Sequence, residues 1–185
     1  RNKYDMILPA ISSALVFPYE EEKDFYEKLL DQCRNILCAD MSSLFLLDDD
    51  KNLKLVSIVG KGITEDKKKY LTNFGYGNYL YAEGLTPHIL REKKSFNAKT
   101  YPDLITRSEG KHKGAWDSIV YGGDGQHNFR SLYSTPLIIG DDPIGVFKVE
   151  NKNVAPYYFT ESDERLFDLI GRMIAIGVKY WRAHA

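Results

Sequence analysis

Residues Met41 to Leu47 constrain the fold more than any other stretch, because they read as a strand that is apolar on both sides. Successive strand side chains point to opposite faces, so Leu44 and Leu46 lie on one side and Phe45 and Leu47 on the other. A sheet containing such a strand has to be covered on both faces. Leu53 to Val59 is nearly as apolar and reads as its partner. The polar cluster Asp48-Asp49-Asp50-Lys51-Asn52 closes the hairpin between them.

The rest of the chain supplies the cover. Met6, Ile7, Ala10, Ile11, Ala14 and Leu15 recur at helical spacing, with Pro9 starting or kinking that helix and Pro18 ending it. Phe25, Leu29, Leu30, Cys33, Ile36 and Leu37 form the stripe of a second helix behind the acidic start Glu20-Glu21-Glu22. A second hairpin is expected from Arg130 to Ile139 and Ile144 to Glu150, turning around Gly140-Asp141-Asp142-Pro143. A last helix is expected from Thr160 to about Trp181, with Leu166, Ile170, Met173, Ile174, Gly177 and Trp181 on one face.

Periodicity thins between Gly60 and Phe129. There the sequence predicts a charged helix at Thr64 to Leu71, an aromatic and glycine segment from Phe74 to Tyr81, and a short helix opening at Thr86-Pro87 and running through Arg91. Phe96 to Ala98 reads as a short strand. Lys99 to Phe129, with a helix at Trp116 to Tyr121, is too long for a plain connection and reads as a lid.

At 185 residues and a formal net charge of −1, the chain is one domain with nothing that asks for nucleic acid or an anionic membrane surface. Cys33 and Cys38 suit a reducing, cytoplasmic setting, and no apolar run reaches the roughly 18 residues of a membrane-spanning helix. The first residue is Arg1, so the chain is expected to be a segment of a longer signalling protein. Residues 1–18 are assigned to an interdomain or dimer helix and 19–185 to the domain proper.

Few residues invite chemistry. Cys33 and Cys38 are five apart on one helix, about 140° around it, which rules out a shared metal or an intrahelical disulfide. His88, His112, His127 and His184 show no metal-ligand spacing. An EF-hand-type loop starting at Asp48 would need glycine where Leu53 stands and Glu where Val59 stands, so the run is a turn. Gly122-Gly123-Asp124-Gly125 lacks the Lys and Ser or Thr of a phosphate loop, and Lys67-Lys68-Lys69 is a solvated helical face. The aromatic density is different. Phe74, Tyr76, Tyr79, Tyr81, Phe96, Trp116, Tyr121 and Tyr133, with His88 and Arg130, suit a planar ligand that stacks on one face and hydrogen-bonds at its edge.

One motif carries a family resemblance. Asn151-Lys152 closes a strand, Phe159 follows after six residues, and Asp163-Glu164 opens the last helix. Thr160 and Asp163 approximate a capping box, and Lys152 can pair with Asp163 across the crossover. This pattern, with Glu83-Gly84-Leu85-Thr86 and Gly145-Val146-Phe147-Lys148-Val149, resembles the GAF domains of cyclic-nucleotide phosphodiesterases and adenylyl cyclases. PAS is the alternative fold, but gives no reason for the motif.

The resemblance implies an α+β, GAF-like fold. Its antiparallel sheet has about six strands, with terminal helices on one face and short helices and loops over a pocket on the other. Asn151, Lys152, Phe159, Asp163 and Glu164 are then a structural motif, and the ten aromatic, histidine and arginine positions above are the pocket. The expected function is a non-catalytic sensory module, homodimeric through its terminal helices, binding a cyclic nucleotide or another small molecule. A structural dimerisation module with a vestigial pocket is the alternative. A methionine sulfoxide reductase of this fold, or a covalent bilin, would need middle-loop cysteines that the chain lacks.

Overall fold

The computed structural model describes residues 21–112 and 129–184. Helix α1 (Glu22–Leu37) begins with Glu22 and Asp24 at its positive end and is closed by Cys38, whose left-handed backbone sends its N–H back to Arg34 and Asn35. The chain then enters β1 (Ala39–Leu47) and β2 (Asn52–Gly60). The Asp48 carboxylate closes their turn by accepting the Asp50 and Asn52 backbone N–H groups, both at 2.9 Å. Thr64 caps α2 (Glu65–Leu71), accepting the Lys67 N–H. Next come β3 (Gly75–Asn78), α3 (Leu85–Glu92), β4 (Phe96–Ala98), α4 (Tyr101–Arg107), the hairpin β5 (Leu132–Ile139) and β6 (Asp142–Lys152), and the long α5 (Glu161–His184).

The six strands form one antiparallel sheet in the order β3-β2-β1-β6-β5-β4. At Gly145 a Cβ would fall 2.0 Å from the Phe45 carbonyl oxygen, so only glycine lets β6 lie this close to β1 there. As the doubly apolar β1 requires, each face is buried. On one, Leu44, Leu46, Phe147 and Val149 meet Leu29, Leu30 and Cys33 of α1 and Phe167, Ile170 and Ile174 of α5. On the other, Met41, Phe45, Leu53, Leu55 and Val146 lie beneath Leu71 of α2, Leu85, Ile89 and Leu90 of α3 and Leu104 of α4.

The expected hairpins and the helices around residues 64–71, 86–91 and 160–181 are present within a few residues of their predicted ends. Two elements were not anticipated. Gly75–Asn78 forms an edge strand despite two glycines, because β2 offers it a ladder. Tyr101–Arg107 is a helix whose start is set by Thr100, accepting the Asp103 N–H, and by Pro102 in its first turn. The helix expected within residues 1–18, that at Trp116 to Tyr121 and the glycine run 122–125 lie outside the described residues.

Candidate functional site

The motif from Asn151 to Glu164 is a joint between the last strand and the last helix. Asn151 adopts φ 60°, and its Oδ1 accepts the backbone N–H groups of Arg130 (2.7 Å) and Ser131 (3.3 Å), fixing the start of β5. The Lys152 ammonium donates to Asp163, with side chains only 4% and 2% exposed. Asp163 also accepts the Thr160 N–H at 2.9 Å while Thr160 accepts the Asp163 N–H at 3.2 Å, a reciprocal cap with Asp in place of the usual Glu. Phe159 is buried against the terminal helices, and Glu164 accepts the Asn97 side-chain N–H at 2.8 Å. These hydrogen bonds bind strand, loop and helix to one another.

The predicted pocket residues divide. Phe74, Tyr76, Tyr79 and Phe96 all pack on the sheet face opposite the terminal helices, the first three at the β3 edge and Phe96 on β4 at the other edge. Phe74 and Tyr76 meet edge to face at 5.2 Å, and Phe45 lies beneath both at 6.3 and 5.7 Å. The Tyr76 hydroxyl donates to Thr86 on α3 (3.2 Å), and Arg91 donates to the carbonyls of Tyr79 and Ala82 (2.6 and 2.7 Å), tying loop to helix. His88 is half-buried on α3. Three residues fall elsewhere. Tyr81 is 84% exposed. Arg130 is exposed at the entrance to β5, 3.5 Å from Asp40. Tyr133 lies on the opposite face, its ring edge-on to Phe167 at 5.0 Å and its hydroxyl donating to Asp168 at 2.9 Å. Strand alternation explains this: Leu132 and Ser134 take the pocket side of β5, so Tyr133 takes the helix side. Trp116 and Tyr121 lie outside the described residues.

Sequence reasoning missed a polar row in the floor of this face. Register places Ser134 of β5, Lys148 of β6 and Ser43 of β1 side by side, with Phe96 and Ile58 at the ends. Glu150, two residues along β6, faces the same way between Leu132 and Met41. All four polar side chains are buried: Ser43 0%, Ser134 0%, Lys148 5% and Glu150 2% exposed. The Lys148 ammonium lies 5.5 Å from the centre of the Phe45 ring. Among the described residues the Ser43 and Ser134 hydroxyls have no hydrogen-bond partner, and an unsatisfied buried hydroxyl costs about 1–3 kcal/mol. Ser42 and Ser57 are also unpartnered, but face the terminal helices, where their cross-strand neighbours are Val149, Val59 and Leu44. The missed signal was in plain view: Lys148 interrupts the apolar run Ile144 to Val149 and Glu150 ends it, both on the side of the strand shared with Val146.

The remaining chemistry lies away from this face. Cys33 is fully buried in the core beneath the terminal helices, and burial pushes its thiol well above the ordinary range. Tyr133 is raised too, chiefly by burial and then by the Asp168 carboxylate beside it. Among the described residues no group of His, Cys, Asp and Glu could hold a metal ion, and no helix is long and apolar enough to cross a membrane.

A single antiparallel sheet in this strand order, with long terminal helices on one face and short helices and loops on the other, makes an α+β, GAF-like domain. A model of the GAF domain family matches residues 20–179, and the chain belongs to that family. GAF domains are generally sensory or regulatory modules of signalling proteins. No curated protein matches the chain. Among solved structures, it is similar to the GAF domain of a phosphoenolpyruvate-protein phosphotransferase from Coxiella burnetii (18% identity, TM-score 0.73, covering 100% of this chain and 98% of that one). It is also similar to the corresponding Acinetobacter domain (15%, 0.70, 99% and 97%). A third is the free methionine-R-sulfoxide reductase of Neisseria meningitidis in complex with its substrate (14%, 0.66, 98% and 92%). At these identities the likeness is one of fold.

Proposed function

We propose that this chain is a non-catalytic, cytoplasmic sensor domain of a larger signalling protein. It binds a small molecule on the face beneath α3 and passes occupancy to its terminal helices, which pair with those of a second copy. The observation that carries this reading is the polar row on the α3 face, where the opposite charges Lys148 and Glu150 are buried beside the hydroxyls of Ser43 and Ser134, which have no hydrogen-bond partner among the described residues; the unpartnered Ser42 and Ser57 on the other face have only apolar cross-strand neighbours. Catalysis of the methionine sulfoxide reductase kind finds no support in the thiols. The chain has two cysteines, and they sit in and at the end of α1, across the sheet from the pocket.

The motif resembles that of cyclic-nucleotide sensors, and the aromatic pair Phe74 and Tyr76 at the β3 edge offers a purine stacking surface. Arg91 is occupied by two carbonyls, so the buried cation facing the ligand is Lys148 on β6. Glu150 beside it opposes a phosphate, which favours a ligand other than a cyclic nucleotide. Calorimetric titration of refolded, ligand-free protein with cyclic AMP, cyclic GMP and a panel of small metabolites tests the reading. Saturable binding by any of them supports a sensor. Silence throughout the millimolar range leaves the structural dimerisation module as the function.

A further inference from the structure

Resting on that sensor reading, we propose that the polar row binds an amino-acid-sized zwitterion, its carboxylate on Lys148 and the Ser43 and Ser134 hydroxyls and its ammonium on Glu150. Three features of the row lead to this ligand class. Lys148 is flanked on both neighbouring strands by serines whose hydroxyls have no partner among the described residues, so one cation-bearing residue and two hydroxyl donors stand side by side on the same sheet face. A carboxylate accepts from all three. Glu150 follows two residues later on the same strand face, about 7 Å along β6 at the usual strand rise, and accepts from a cationic or amide donor. A molecule with a carboxylate and an ammonium a few ångström apart spans that interval with hydrogen bonds at each end.

Charge balance selects against other ligands. The row carries one positive and one negative residue, both nearly excluded from water. A buried anion such as a phosphate would satisfy Lys148 and oppose Glu150, whereas a net-neutral dipolar ligand complements both. Lys148 and Glu150 each already have partners in the unliganded fold, so the ligand exchanges with those interactions; it is the two serine hydroxyls that lack any. The next row on the Lys148 side is apolar at Phe45 and Val146, and Glu150 is flanked by Met41 and Leu132. They offer an apolar wall to a side chain.

The test uses the whole chain, refolded free of ligand, with the twenty protein L-amino acids in thermal-shift and calorimetric titrations. At least one should bind. Its carboxamide and its N-acetyl derivative should then bind at least tenfold more weakly, since each removes one end of the zwitterion. Lys148→Met should abolish discrimination against the carboxamide, and Glu150→Gln discrimination against the N-acetyl form. Ser43→Ala and Ser134→Ala should weaken binding severalfold while leaving the ligand-free melting temperature unchanged or higher. Should the charge variants fail to fold, the derivative series on the parent protein decides alone. Equal affinity for all three forms overturns the inference, as does binding of none of the twenty. Either result combined with saturable binding of a cyclic nucleotide leaves the sensor reading standing, and silence toward every compound removes both.

Discussion

Replacing Lys152 with methionine should be among the most damaging single changes in this fold, although the residue closes a strand at its boundary with a loop. The methionine keeps the stem and removes the charge. Asp163, 2% exposed, would then hold a buried carboxylate with its lysine partner gone and the Thr160 N–H still donating. Exposed pairs contribute about 0–1 kcal/mol, but stripping one partner from a buried pair typically costs about 3–5 kcal/mol. In a domain of this size each kcal/mol lowers the melting temperature by roughly 2–4 °C, which sets the expected fall at about 6–20 °C. Asp163→Asn should lose a similar amount, since it strands the lysine ammonium while keeping an acceptor for Thr160. The pair of changes together, Lys152→Met with Asp163→Asn, should be clearly more stable than the sum of the two losses predicts. Urea melts of the four proteins at one temperature measure the cycle. Single variants within 2 °C of the parent, or strictly additive losses, would refute the argument that this pair holds strand to helix.

Other expectations follow from burial and placement. Tyr133→Phe should cost about 1–3 kcal/mol at neutral pH by removing the donor to Asp168. Because the folded state raises the Tyr133 hydroxyl above its unfolded value of about 10, its protonated form contributes stability below that pH, lost as pH rises further. The variant's alkaline melting curve should therefore be flatter than the parent's; identical curves would show that Tyr133 titrates freely. Cys33 should resist iodoacetamide at pH 8 until the protein unfolds, and Cys33→Ser with Cys38→Ser should leave ligand binding unchanged and remove no methionine sulfoxide reductase activity. For dimerisation, Ile174 is fully buried in the core, so the informative substitution is Ile176→Glu on the outer side of α5, where Ile176 and Tyr180 are 61% and 59% exposed. Sedimentation should show a dimer at high micromolar concentration that this change dissociates; a parent monomer would end the proposal.

The sheet was legible in the sequence because its strands carry a physical requirement on their faces. Met41 to Leu47 demands cover on both sides whatever lies above and below it, and the hairpins follow from polar turns. The joint at Lys152 and Asp163 was legible for the same kind of reason, since a capping pattern and a strand-end cation are local facts. The site was less so. Aromatic density along a chain does not assign each ring to a face, and Tyr133 consequently went to a pocket from which strand alternation excludes it. β3 was obscured by Gly75 and Gly77, whose weak strand preference is overridden by the ladder with β2. Ser43 and Ser134 each look ordinary alone. Only the register that sets them on either side of Lys148 gives them meaning, and register between strands far apart in the chain is a tertiary fact.

β6 has two loads on it. One face presents Lys148 and Glu150 to the pocket, the other presses Phe147 and Val149 into the layer containing Phe167, with the Phe147 and Phe167 rings stacked at 4.3 Å. The same strand ends at Lys152, which is locked to the first turn of α5. A rod gripped at its side and at its tip by one neighbour has no free play against it. Under the sensor reading, a displacement of β6 is passed to α5 at two points about five residues apart along the strand, Phe147 and Lys152. Shortening the lever, by softening either grip, should blunt the output while leaving affinity for the input intact.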